Sequence, residues 1–328
     1  MRLSIGRRGL VAGAALAPLA LPAAAQGRGE EISVTHWGVL MYGAPYAVAM
    51  AKGFFREAGV NITGILTSKG GGTTVRNVLA GGLPYGEVSL AAAVAAAREG
   101  LEIRIVNAGA ATVADILWVT TPNSPIRTIK DLEGHRIAYT SPKSVTEMLV
   151  IMSLTAAGVD LNKVERVSTG GIGAGLTALR QGGVQAAPIM DPIWARDQAR
   201  WRPLFFVKDL LPPMTQTVGI ATTQFMRDQP QKLRAIIAGR RKGVDFLYAN
   251  PEEGGRIFAE AYELPRELGV RAVRNMVDVG YWSRGNIDTR ALDNMVEGLR
   301  IIGEVDGPVD WTTLVDRSFL PPDLQATG

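Results

Sequence analysis

The chain contains no cysteine, and only two of its 328 residues are histidine. The first absence removes disulfide frameworks, thiolate nucleophiles and every cysteine-ligated metal centre. The second leaves His36 and His135 far apart, without metal-ligand spacing and without an evident catalytic partner, so both read as structural and no metal or cofactor is expected. Aromatic residues make up 6% of the chain, and no basic block interleaves with them, which argues against nucleic acid as a partner. Short-period repeats and low-complexity tracts are missing as well.

What is present begins with an export signal. Met1 to Ala25 carries arginines at 2, 7 and 8, an apolar Ala/Leu-rich run from Gly9, and Ala23-Ala24-Ala25 as a small-residue cleavage site. The pattern predicts a signal peptide over residues 1–25 and a periplasmic destination by general (Sec) secretion, with Arg7-Arg8-Gly9-Leu10-Val11 a loose match to a twin-arginine (Tat) signal. Pro18 and Pro22 interrupt the run, which argues against a retained anchor. Its removal takes three of the 35 basic residues and none of the 31 acidic ones, leaving the mature chain near +1.

The remaining length exceeds one ordinary core and predicts two lobes. Ile32 to Trp37 alternates as a strand, Pro45 to Ala58 carries a helical apolar face closed by Gly59, and Val60 to Leu66 is a second strand. Strand-helix units continue through Val88, Leu90–Arg98, Ile103–Val106 and Ile116–Val119, a pattern that predicts an α/β fold with mainly parallel sheets. Thr121-Pro122-Asn123-Ser124-Pro125 and Thr217–Thr222 read as two crossings, so that residues 32–120 and 221–328 form lobe 1 and 121–220 form lobe 2. Helices over 233–248, 251–262, 265–277 and 289–302 are expected to return to the first lobe.

The most informative stretch runs from Ile62 to Gly82: a strand, Ser68-Lys69-Gly70-Gly71-Gly72-Thr73-Thr74, and a helix capped by Gly81-Gly82. Its glycines permit close backbone approach, and the free amides at the helix start attract anionic or hydrogen-bond-accepting groups. Plain capping explains the same residues. The loop lacks the lysine and hydroxyl pair of a nucleotide phosphate loop, and Gly173-Ala174-Gly175 with its short mid-chain helix is a weak dinucleotide fingerprint.

Several passages together resemble the type II periplasmic solute-binding proteins of the sulfonate, nitrate, taurine and thiamine-precursor ABC uptake systems. They are Ala51-Lys52-Gly53-Phe54-Phe55, Gly70–Thr74 with Leu79-Ala80-Gly81, Ile129–Gly134, Ala157-Gly158-Val159, Ala178–Gly182 and Asp191-Pro192, in preserved order over residues 32 to 265. The acidic residues that often precede two strands in that family are replaced by Pro84 and Gln185, so its ligands do not transfer. The resemblance implies two lobes joined by two crossings, with solute held by loops at the carboxyl ends of parallel strands. Those loops supply the candidate ligand-binding residues Trp37, Gly38, Tyr42, Gly71, Gly72, Thr73, Thr74, Glu87, Ser89, Ser141, Lys143, Ser144, Gly171, Ile172 and Asp191. Trp37 is the preferred stacking residue over Tyr42, Trp194 and Trp282. The expectation is a monomeric, non-catalytic receptor that passes a small organic solute to the transmembrane subunits of an ABC permease. A carboxylate or sulfonate is favoured by the helix starts, Lys69 and Lys143; a pyrimidine-like solute read by Glu87 and Asp191 is the alternative. An enzyme on the same fold, or an exported sensory domain, are the competing classes.

Overall fold

In the computed structural model, residues 29–325 are described, and the signal-peptide reading of residues 1–25 lies outside them. The chain opens with β1 (Glu30–Thr35), whose residues from Ile32 on are buried on both faces. The helix expected over 45–58 is broken into α1 (Ala44–Ala51) and α2 (Phe54–Ala58), because Gly53 takes a left-handed conformation at φ 74°. There follow β2 (Ile62–Ser68), α3 (Gly71–Leu79), β3 (Gly86–Ser89), α4 (Leu90–Arg98) and β4 (Ile103–Ala108). The middle of the chain forms β5 (Leu117–Thr120), β6 (Arg136–Tyr139), α5 (Val145–Ala156), β7 (Glu165–Ser168), α6 (Ile172–Arg180), β8 (Ala187–Ile189), α7 (Ile193–Asp197) and β9 (Arg202–Phe206). Then come β10 (Thr217–Thr222), α8 (Thr223–Asp228), α9 (Pro230–Ala249), α10 (Pro251–Ala261), α11 (Arg266–Asp278) and α12 (Thr289–Ile301).

The first sheet has the order β2-β1-β3-β10-β4, parallel except for β10. In the second lobe β8-β5-β9 and β6-β7 are joined by a parallel bridge between Ile137 and Ala186, giving β7-β6-β8-β5-β9. The two lobes therefore repeat one topology, and the reversed strand of each is the one that arrives from the other lobe. Because β5 pairs with β8 and β9, and β10 with β3 and β4, both crossings lie one strand earlier than expected, at residues 109–116 and 207–216. Both segments taken as crossings or boundaries are ordinary buried strands or lie beyond one; composition does not reveal which sheet a strand joins.

Strand register then fixes where a ligand can sit. Leu117, the first residue of β5, pairs with Ile189 at the end of β8 and Phe206 at the end of β9. Thr217, the first of β10, pairs with Ser89 at the end of β3, and Val218 with Ala108 at the end of β4. Each crossing thus leaves one carboxyl edge and enters the other, so the two edges face one another across eight- to ten-residue connections. Helices α9 and α10 pack on the first lobe, with Gly239 against Phe55 and Gly243 against the Pro45 carbonyl. The last two differ from expectation by touching both lobes: Arg271 of α11 donates to the Ala195 carbonyl on α7 (3.0 Å), and Gly298 of α12 rests on Met148 and Met152 of α5.

Candidate ligand site between the lobes

At the first-lobe edge, β1 is followed by His36, at φ 56°, whose amide donates to the Ser68 carbonyl (2.8 Å) and ties the ends of β1 and β2 together. Burial lowers the pKa of its imidazole. Trp37 lies half-buried with its ring over Gly43 and edge-on to Tyr262 at 5.0 Å; Gly38 is exposed at φ 82°. Tyr42 stacks parallel to Tyr281 at 6.5 Å, and burial, then Asp115 and Glu87, raise its phenol pKa.

The glycine turn works differently from expectation. The Thr74 hydroxyl is fully buried between those of Thr35 (2.7 Å) and Ser68 (2.5 Å), so it bolts α3 to β1 and β2 and does not line the cleft. Thr73 is half-buried and accepts from Arg76 (2.9 Å). A Cβ at Gly71 would stand 2.4 Å from that of Ala92 and 2.9 Å from the Ser89 hydroxyl, so close helix packing requires glycine there. Ser89 caps α4 by accepting from the Ala92 amide (3.3 Å). What remains for a ligand is backbone: the first amides of α3, Gly71 and Gly72, have no acceptor within the helix.

Glu87 is sealed away. Its carboxylate accepts from the hydroxyls of Tyr46 (2.5 Å) and Thr217 (2.8 Å) and from Arg240 Nε (3.1 Å), with both ionic side chains essentially without exposure. Arg240 completes its set on the carbonyls of Ser283 (2.8 Å) and Gly109 (3.0 Å), while Tyr85 bonds Tyr46 (2.9 Å) and Asn107 (3.0 Å). Every partner is protein, so the expected solute-reading role of Glu87 is replaced by a structural one. Gly109, where the first crossing begins, has no room for a Cβ, which would lie 2.5 Å from Glu87 Oε1.

On the second-lobe edge, Ser144 caps α5 by accepting from the Glu147 amide (3.2 Å), and Glu147 accepts from the Lys143 amide (2.6 Å). Lys143 stands at φ 63° with its ammonium 2.9 Å from Glu304, an ion pair between the lobe 2 loop and the segment after α12. Ser141 is exposed. Thr146, which the sequence did not single out, is this lobe's bolt, bonded to the Thr140 amide (2.9 Å) and hydroxyl (2.7 Å). Gly171 precedes α6 without a side-chain cap, and Ile172 is half-buried, so the α6 amides also face the edge.

Between the edges lies an acidic floor. Asp191, just beyond β8, is buried and accepts from Asn275 on α11 (3.2 and 3.3 Å) and from the Ala195 amide (3.2 Å). Asp115, in the first crossing, is buried and accepts from Gln216 of the second crossing (3.1 Å). Burial pushes both carboxyls up to about 7, partly offset by these bonds, and Asp191 raises Asp115 further. Both line one cavity of about 180 Å³ with Trp194, Phe206 and Asn275. Asp115, Gln216 and Asn275 escaped the sequence reading because nothing local distinguishes them from loop or helix-surface residues; they are gathered by topology alone.

A two-lobed α/β molecule with facing carboxyl edges is a periplasmic-binding-protein fold, and comparison with known proteins agrees. Residues 41–254 match the family described as NMT1/THI5 like, and the chain belongs to that family. The periplasmic aliphatic sulphonate binding protein SsuA from Escherichia coli is similar in structure at TM-score 0.71 and 16% identity, over 88% of this chain and 92% of that one. The alkanesulfonate-binding SsuA from Xanthomonas axonopodis pv. citri, bound to MOPS, gives 0.68 and 14%, over 89% and 100%. The desulfurization enzyme DszB gives 0.66 and 13%, over 89% and 97%, so the same fold also carries catalysis. No curated protein matches the sequence.

Proposed function

We propose that this protein is a monomeric periplasmic receptor of an ABC-type uptake system, which closes its two lobes on a small organic solute and hands it to the permease transmembrane subunits. The observation that carries this reading is the register of β5 and β10, which sets the carboxyl edges of two equivalent sheets opposite each other across two short crossings. Such connections favour rigid rotation of one lobe against the other. No covalent step is required. A carboxylate or sulfonate group would sit at the amides that open α3 and α6, one from each lobe, each carrying roughly half a positive charge. A pyrimidine-like solute is the second reading, supported now by Asp191 alone, since Glu87 is enclosed.

The test is small-angle scattering of the mature protein against a panel of alkanesulfonates, short carboxylates and pyrimidines, each incubated and then examined by NMR. A binder that shrinks the radius of gyration and is recovered unchanged supports the receptor. An unchanged radius with every saturating ligand, or turnover of one, would overturn it.

A further inference from the structure

Buried charges in folded proteins are paired, and a carboxylate enclosed without a cation is held at considerable cost. Glu87 obeys this rule through Arg240. Asp115 and Asp191 do not: their hydrogen-bond donors are neutral, Gln216 and the Tyr281 hydroxyl for Asp115 and Asn275 and the Ala195 amide for Asp191, and among the described residues no cationic side chain forms an ion pair with either. Lys208 lines the same cavity, but its ammonium is on Asp209 (2.7 Å) and over the Phe206 ring. Asp278, also on the lining, adds a further negative group, and Tyr42 and Tyr281 stand close to Asp115 as neutral phenols.

The surroundings describe the missing partner. The cavity, about 180 Å³, exceeds the space of a single water several-fold. Trp194 and Phe206 give it aromatic walls suited to a carbon body beside a positive charge. Among the described residues no group of three or more ligating side chains could hold a metal ion, so an organic cation fits the chemistry better than an inorganic one. Its walls come from both crossings, from lobe 2 and from α11, so an occupant would touch the connections between the lobes.

We propose that this cavity is a cation subsite of the receptor, in which Asp115 and Asp191 hold the ammonium group of the solute and Trp194 and Phe206 flank its carbon chain. The proposal rests on the receptor reading and adds to it a positive group on the solute.

Titration calorimetry of the mature protein with butylammonium chloride, and with 1-butanol as its uncharged counterpart, tests this without altering the protein. The expected result at pH 8 is saturable binding of butylammonium at least tenfold tighter than butanol, weakening several-fold at pH 6 as the two carboxyls gain protons. Asp115→Asn and Asp191→Asn should each lower butylammonium affinity at least tenfold while circular dichroism stays unchanged. Equal binding of butanol, or variants that bind butylammonium as wild type does, would overturn the subsite. The two ideas fail separately: the scattering panel judges lobe closure, whereas butylammonium against butanol judges the cavity.

Discussion

Glu87 forms one buried acidic centre and Asp115 with Asp191 another, and of these two only the first is matched by a cation. Glu87 meets a guanidinium and the hydroxyls of Tyr46 and Thr217, close to a Tyr85 phenol pushed up to about 12 by burial and by Glu87 itself. Asp115 and Asp191 have neutral donors and an open cavity. A closed polar network fixes the base of the first lobe to the start of the crossing at Gly109, through Arg240. An unclosed one, placed where two lobes and a crossing meet, is arranged for a partner that comes and goes.

The largest effect that would test the contrast comes from opening the closed network. Arg240→Met leaves the Glu87 carboxylate buried without its cation, and the loss should reach roughly 3–5 kcal/mol, the range for breaking a buried pair by removing one partner. Urea unfolding of the mature protein measures it. A loss below about 1 kcal/mol would show that the pair does not hold this region together.

Removing charge from the other centre should act in the opposite direction. An aspartate raised to about 7 in the folded protein, against about 3.9 unfolded, keeps its proton in the native state over pH 4 to 7 while the unfolded chain releases it. The contribution of these two groups to native stability is then fully present below pH 4 and is lost as pH rises through 7, with a slope of at most about 1.4 kcal/mol per unit for each group. Asp115→Asn or Asp191→Asn should therefore stabilise the ligand-free protein at pH 8 by roughly 1–3 kcal/mol relative to wild type, and the gain should shrink towards pH 4. Thermal unfolding from pH 4 to 8 measures this; a variant less stable than wild type at pH 8 would mean that the carboxylate is already compensated within the protein.

Much of the architecture was legible because it is local. Alternating apolar strands and glycine-capped helices appear close to where the sequence places them, although α3 already starts at Gly71, inside the stretch read as a turn. The pairing of distant strands was not, since β5 and β10 look the same whichever sheet they join, and both crossings were therefore set one strand late. The site follows the same division. Asp191 is marked by the Asp-Pro step, but Arg240 lies 153 residues beyond Glu87, and nothing near Glu87 announces that its charge is matched. Thr73 and Thr74 both read as helix-start hydroxyls, and only the packing of β1 against β2 separates the half-buried one from the enclosed one.

The smallest effect concerns Lys143, which stands between the two kinds of centre: a charged residue at the second-lobe edge whose partner is protein, yet whose ion pair lies at the surface. Its side chain is 64% exposed and that of Glu304 29%, so solvent screens their attraction and the pair should add less than about 1 kcal/mol to stability. Because the 2.9 Å contact joins the lobe 2 loop to the segment after α12, its loss would bear on how the lobes rest against each other more than on the solute. Lys143→Gln is expected to lower the melting temperature by a degree or two at low salt, and not detectably at 0.5 M, where the Debye length has fallen to about 4 Å. Solute affinity should stay within twofold of wild type. A tenfold fall in affinity for an anionic solute, with the melting temperature unmoved, would instead place the Lys143 ammonium on the ligand and make Glu304 its resting partner.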